Sequence, residues 1–152
     1  MEAARPFLAA GVASADTAIR LNTAVLMLTA GSKLAQAQAY DRAYPWLDSL
    51  LVLVEPRTPA DTMGPRHQIR VNASFWYGIA SIVSAGGAYR QVAQSHSCVD
   101  AKAFNDRLKQ TRSALELGRR VHEPTVTQML AAAKQYETAM VSVRRAFKCT
   151  NF

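Results

Sequence analysis

The chain has two cysteines, Cys98 and Cys149, placed symmetrically about one break in the sequence, His122-Glu123-Pro124-Thr125. On both sides of this break, apolar residues recur every three or four positions, which predicts two helices. Helices joined by so short a turn pack antiparallel, and the two cysteines then meet at the open end of the hairpin. The spacing therefore predicts a Cys98–Cys149 disulfide. In the chain-entropy model, closing a loop of about 50 residues contributes up to about 4 kcal/mol.

Other states of the two thiols stay open at this point. Both cysteines could be reduced and buried, and His96 with Cys98 and Cys149 would give three ligands of a type that zinc accepts. A redox-active pair is not indicated, because the chain has no Cys-x-x-Cys motif. Oxidised cysteines would place the protein in the periplasm or outside the cell, and reduced ones in the cytoplasm.

A chain of 152 residues supports a single domain, residues 1–152, with a real core. Its hydrophobic fraction of 49% argues against disorder. The sequence has no apolar stretch approaching the length of a membrane span. Residues 1–14 lead into an Ala13-Ser14-Ala15 end of the signal-peptide kind, but the apolar stretch is short. We expect a loose extension or a partial helix there.

The fold class predicted from this periodicity is all-α, with about five main helices and no hairpin-turn signals. They run from about Asp16 to Ala37, Asp41 to Val54, Arg66 to Ser84, Cys98 to Val121 and Thr125 to Lys148. Arg57–Pro65 is expected to be a loop, and Ala88–Ser95 a further helical stretch after a bend at Gly86-Gly87. The predicted apolar faces include Ile19, Ala24, Met27, Ala30, Leu34, Ala43, Leu47, Leu50, Val54, Ile69, Ile79, Val83, Phe104, Leu108, Thr111, Leu115, Ala133 and Met140. Trp46 is expected in the core or lining a groove.

The segment Ala24–Pro56 is close in length to one tetratricopeptide unit of about 34 residues. Ala30-Gly31 stands at the Leu-Gly pair of that repeat, and Ala43 at a small packing position of its second helix. Met27 replaces the usual Trp. The segment therefore resembles a tetratricopeptide repeat. The resemblance implies a stack of antiparallel helical hairpins in which Gly31 lets the second helix approach closely.

A second resemblance covers about half of the chain. The stretch Phe75–Cys149 is similar to the C-terminal region of bacterial tetratricopeptide-repeat proteins that close with a cysteine-stapled helical hairpin. The motifs that carry it are Phe75-Trp76-Tyr77-Gly78, Ala93-Gln94-Ser95, Ser97-Cys98, Gln135-Tyr136 and Phe147-Lys148-Cys149. These are packing motifs, so the resemblance implies a scaffold that binds partners, with no activity attached.

The net charge of +7 comes from 18 basic and 11 acidic residues, and most of the excess lies in the last third of the chain. Such an excess can form a surface for a protein partner or an anion. The candidate residues are Arg112, Arg119, Arg120, Arg144, Arg145 and Lys148. Solvated helix faces are the alternative, because cations near helix C-termini are stabilised without any ligand.

No motif for catalysis occurs in the sequence. The chain lacks Gly-x-Ser-x-Gly, His-Glu-x-x-His and a phosphate loop. We therefore expect no enzyme, no catalytic or metal-binding residues and no cofactor. Because a short helical stack leaves its end faces unburied, we expect a protein–protein interaction or assembly scaffold with a protein partner or self-association. The alternative is a basic module that binds nucleic acid or another anionic polymer.

Overall fold

The structure is a computed structural model that describes residues 5–56 and 62–150. Within these ranges every element is a helix, which confirms the all-α prediction, and the helices number seven rather than about five. They are α1 (Arg5–Ala13), α2 (Thr17–Gln36), α3 (Tyr40–Leu53), α4 (Gly64–Val83), α5 (Ala85–Ser95), α6 (Cys98–Gly118) and α7 (Glu123–Phe147).

The two additional helices lie where the sequence predicted less order. Helix α1 occupies the segment for which we expected a loose extension or a partial helix. Helix α5 begins at Ala85, so that Gly86-Gly87 lies inside its first turn. The bend expected at these glycines falls instead at Ser84, which separates α4 from α5. Part of the predicted loop Arg57–Pro65 lies outside the described residues, and Pro65 belongs to the first turn of α4.

Polar side chains cap three of the helix starts, those of α2, α6 and α7. The Asp16 carboxylate accepts hydrogen bonds from the backbone N–H groups of Ala18 and Ile19, at 2.7 and 3.2 Å, and so caps α2. Helix α7 starts at Glu123, two residues earlier than expected, because His122 and not Thr125 is its cap. The Nδ1 atom of His122 accepts the Thr125 backbone N–H at 3.3 Å.

Helix α4 occupies the centre of the fold and contacts α2, α3, α5, α6 and α7. More than half of its 20 residues are buried, including polar Ser74 and Ser81. Its Ile69, Ala73 and Tyr77 belong to a core cluster with α2 and α3. A second cluster joins α4 to α5, α6 and α7. Helix α4 is thus shared between two adjoining cores.

Close helix crossings depend on residues without a side chain. A Cβ added to Gly31 on α2 would lie 2.7 Å from Leu47 Cδ2 on α3, which confirms the expected close approach there. A Cβ on Gly78 of α4 would overlap Leu115 of α6. Together with the Ser81–Thr111 contact, these neighbours show that α4 and α6 run antiparallel.

Most residues of the predicted apolar faces are buried, whereas Ala30 and Leu34 are partly buried and two others are exposed. Leu47, Leu50, Phe104, Leu108 and Leu115 are core residues as expected. Ile19 and Val83 are each 48% exposed, so their assignment to the core was wrong. On α2 the predicted Ala24 and Met27 are buried, and Thr23, Gly31 and Ala35 complete the face that packs against α3 and α4.

Candidate functional site

Cys98 and Cys149 form the predicted disulfide, with their Cα atoms 5.5 Å apart. Cys98 is the first residue of α6, and Cys149 follows the last turn of α7. Lys148 adopts a left-handed conformation (φ 56°) that ends α7, and the Cys149 N–H then donates to the Arg144 carbonyl at 3.0 Å. Because the bond takes up both sulfurs, the alternative zinc set of His96, Cys98 and Cys149 is not formed in this state. The His96 ring instead lies against Phe147, with the ring centroids 4.9 Å apart.

The candidate basic residues fall into separate groups along the α6–α7 hairpin. Arg119 and Arg120 lie at its turn, whereas Arg144, Arg145 and Lys148 lie at the open end beside the disulfide. A helix rises 1.5 Å per residue, so the two groups are about 30 Å apart. They do not form one continuous patch.

Three of these side chains already have protein partners. Arg112 Nη1 lies 3.3 Å from the Glu137 carboxylate and links α6 to α7. Arg119 pairs with Glu116 at 2.8 Å and with Glu123 at 3.6 Å, and the hydrogen bond to Glu116 raises the pKa of Arg119. Arg144 Nε donates to the Cys149 carbonyl at 3.4 Å. Within the described residues, Arg120, Arg145 and Lys148 make no ion pair.

An apolar groove, which the sequence did not predict, lies between α1 and α3 with α2 as its floor. We call it the α1–α3 groove, and its volume is about 490 Å³. Its lining residues are Leu8, Ala9, Val12, Met27, Pro45, Trp46 and Ser49. The Ser49 hydroxyl donates to the Pro45 carbonyl at 2.9 Å, so this hydroxyl hydrogen already has an acceptor. Trp46 is half-buried there, in agreement with its expected place in the core or in a groove.

A second, more polar cleft of about 290 Å³ lies between α5 and α6 and is closed at one end by α3. We call it the Arg107 cleft. It is lined by Tyr44, Ala88, Gln91, Val92, Asp100, Ala103, Phe104 and Arg107. Sequence reasoning missed Arg107 because it matches no motif. The available signal was its position on α6, three residues after Phe104 and four before Thr111, both of which are buried.

Arg107 is held in one orientation by α4 and α3. Its Nε donates to Ser81 Oγ at 3.0 Å, and its Nη2 donates to the Ser81 carbonyl and to Ser84 Oγ, both at 2.8 Å. The guanidinium carbon lies 4.1 Å from the centroid of the Tyr44 ring, a cation–π geometry. These contacts fix the plane of the guanidinium.

Buried hydroxyl groups lie near the Arg107 side chain. Ser81 Oγ and Thr111 Oγ1 are 2.7 Å apart in the core. The Tyr77 hydroxyl is buried with no hydrogen-bond partner: Tyr44 and Thr111 are electrostatic neighbours of this phenol, but neither meets hydrogen-bond geometry with its oxygen. Burial, followed by the influence of Tyr44, raises the pKa of Tyr77 well above its usual value.

Over residues 5–56 and 62–150, no three His, Cys, Asp or Glu side chains are grouped as metal ligands, and no helix is long and apolar enough to cross a bilayer. No protein-family model, curated protein or solved structure matches the chain.

Proposed function

We propose that the protein is a non-catalytic protein-binding or assembly domain built as a tetratricopeptide-like stack. The order of packing supports this. Along the chain α2, α3, α4, α6 and α7 each contact the next, and α4 also contacts α2 and α7. In a helical-repeat stack, each hairpin likewise buries its apolar face against its neighbour. Helix α5 is the departure from a regular repeat.

The observation that carries the proposal is the α1–α3 groove. Its walls are mainly apolar, it is bounded by helices, and Val12 on its edge is 38% exposed. Ile19, Val25 and Leu26 on α2 are exposed as well. An apolar groove between helices suits the apolar face of an amphipathic helix, which inserts side chains at i, i+3, i+4 and i+7. We therefore assign the groove to an amphipathic helix from a protein partner.

Site-specific crosslinking followed by binding measurements tests this assignment. A photoreactive amino acid in place of Ser49 would identify the partner, which is then purified and titrated against the unmodified protein. Val12→Asp places a charge at the groove edge, and we expect it to weaken binding about tenfold or more. Val141→Asp is the matched control, because Val141 is 51% exposed on α7 and outside the groove. Equal binding by both variants would contradict the assignment.

We also propose that the protein works in an oxidising compartment, the periplasm or the outside of the cell. The support is the disulfide, since such bonds persist where thiols are not kept reduced. Mass measurement of the natively produced protein after alkylation, with and without reductant, tests this. Two alkylated cysteines without reductant would argue for the cytoplasm.

Binding of an anionic polymer is the second candidate, because Arg120, Arg145 and Lys148 lack ion-pair partners in the described ranges. It predicts an affinity that falls steeply with salt. The absence of DNA and RNA binding at low salt would remove this candidate and leave the groove assignment untouched.

A further inference from the structure

The Arg107 cleft contains two opposite charges that do not pair with each other. In residues 5–56 and 62–150, no carboxylate oxygen lies within 4.0 Å of the Arg107 guanidinium, and no basic group lies that close to Asp100. Both side chains are only partly exposed. Partly buried charges are normally paired, because they have lost part of their hydration.

The two charges lie on one stripe of α6. Asp100 and Arg107 are seven residues apart, which places them on the same face of the helix with about 10 Å between their Cα atoms. Ala103 and Phe104 fill the stripe between them. The facing wall is formed by Ala88, Gln91 and Val92 of α5. The cleft therefore has a cation at one end, an anion at the other and a mainly apolar middle.

Arg107 is already prepared for an acceptor. Its Nε and Nη2 hydrogens are directed at Ser81 and Ser84, whereas Nη1 donates to no described group. Since the serines and the Tyr44 ring hold the guanidinium, binding at Nη1 would cost little side-chain entropy. A carboxylate there would accept a charge-assisted hydrogen bond from Nη1.

We propose that the Arg107 cleft binds a small zwitterion whose carboxylate and ammonium groups are separated by an aliphatic spacer. The carboxylate accepts from Arg107, the ammonium donates to Asp100, and the spacer lies along Ala103 and Val92. A purely anionic ligand would be repelled by Asp100, and a purely cationic one by Arg107. This chemistry occurs in a free ω-amino acid and in a C-terminal lysine of a polypeptide.

The test is an NMR titration of the full-length, oxidised protein with 6-aminohexanoate, hexanoate and hexylamine. We expect 6-aminohexanoate to bind about tenfold or more tightly than either singly charged analogue, because each loses one charge-assisted contact. The shifted backbone signals should come from the cleft walls on α5 and α6. Nα-acetyl-lysine is the arm that represents a polypeptide C-terminus, and its affinity relative to 6-aminohexanoate distinguishes the two sources.

Two variants complete the test. Asp100→Asn should remove the preference for 6-aminohexanoate over hexanoate, whereas Asp106→Asn should leave it unchanged, because Asp106 on the same helix pairs with Lys102 and Lys109. Arg107→Gln should abolish binding, and circular dichroism checks its fold. Equal affinity for all three probes, or no saturation at tens of millimolar, would overturn the proposal.

Discussion

At the scale of single residues, the least usual feature is the phenol of Tyr77. It is completely buried between α3, α4 and α6, yet its oxygen has no hydrogen-bond partner. Its ring packs against Tyr44, with the centroids 5.4 Å apart. Tyr44 in turn supports the Arg107 guanidinium. The ring of Tyr77 therefore contributes packing, while its hydroxyl contributes an unsatisfied dipole.

We expect Tyr77 to make the protein sensitive to alkaline pH. The raised pKa in the folded state means that above about pH 10 the unfolded chain loses the Tyr77 proton while the folded protein retains it. The unfolded state then binds fewer protons, so the free energy of unfolding falls by up to about 1.4 kcal/mol per pH unit from this residue. Below about pH 10 the contribution of Tyr77 to the free energy of unfolding is fully present.

Urea unfolding of the wild type and Tyr77→Phe between pH 8 and pH 11 measures this effect, with Tyr40→Phe as the control at a partly exposed tyrosine. Tyr77→Phe should have the shallower decline in stability with pH, because phenylalanine has no ionisable proton and so removes this linkage. The same decline in both variants would contradict the expectation.

At the scale of the helices, the fold depends on how closely α4 and α6 approach each other. Gly78 and Gly118 lie at successive crossing points of this pair. At Gly118 the neighbour is the backbone of α4, since an added Cβ would be 2.7 Å from both Phe75 Cα and Phe75 N. Backbone atoms cannot move aside as a flexible side chain can.

We expect Gly118→Ala to destabilise the protein by about 1–3 kcal/mol, because the helices must separate locally to admit the methyl group. Gly87→Ala is the matched control within a helix: beyond its chain neighbours and its own helix backbone, no atom lies within 4 Å of its added Cβ, and alanine favours helix by about 0.5–1 kcal/mol. In denaturant unfolding, the free energy of unfolding should therefore fall for Gly118→Ala and rise for Gly87→Ala. A neutral Gly118→Ala would show that the crossing is looser than the structure indicates.

The helices and the disulfide could be predicted from the sequence because both follow from local spacing. The predicted apolar faces of α3 and α6 are buried, including Leu47 and Leu108. Ile19 was wrong because hydrophobicity alone does not show which face of α2 meets a neighbour. The groove and the Arg107 cleft could not be predicted, since each combines residues from three helices whose packing a single sequence does not specify.

At the scale of the whole molecule, two core clusters meet at α4, and only the second is closed by a covalent bond. The disulfide joins the two ends of the α6–α7 hairpin, whereas α1, α2 and α3 are held by non-covalent contacts. The covalent restraint therefore acts on the C-terminal half of the domain.

Replacing both cysteines by alanine should lower the free energy of unfolding by up to about 4 kcal/mol, the chain-entropy value for a loop of this length. The comparison is thermal or denaturant unfolding of the oxidised wild type, the reduced wild type and the double variant. The reduced wild type and the double variant should have closely similar free energies of unfolding. A double variant as stable as the oxidised protein would contradict the expectation.

The position of the disulfide also determines how the protein responds to mechanical force. Cys98 and Cys149 are 51 residues apart in sequence, and their Cα atoms lie 5.5 Å from each other. When the oxidised protein is stretched from its termini, the intervening chain bears no tension. Reduction would release roughly 170 Å of additional contour length. The disulfide thus protects the α6–α7 hairpin from the applied force, and with it the α6 wall of the Arg107 cleft. Helices α1 to α5 bear that force directly.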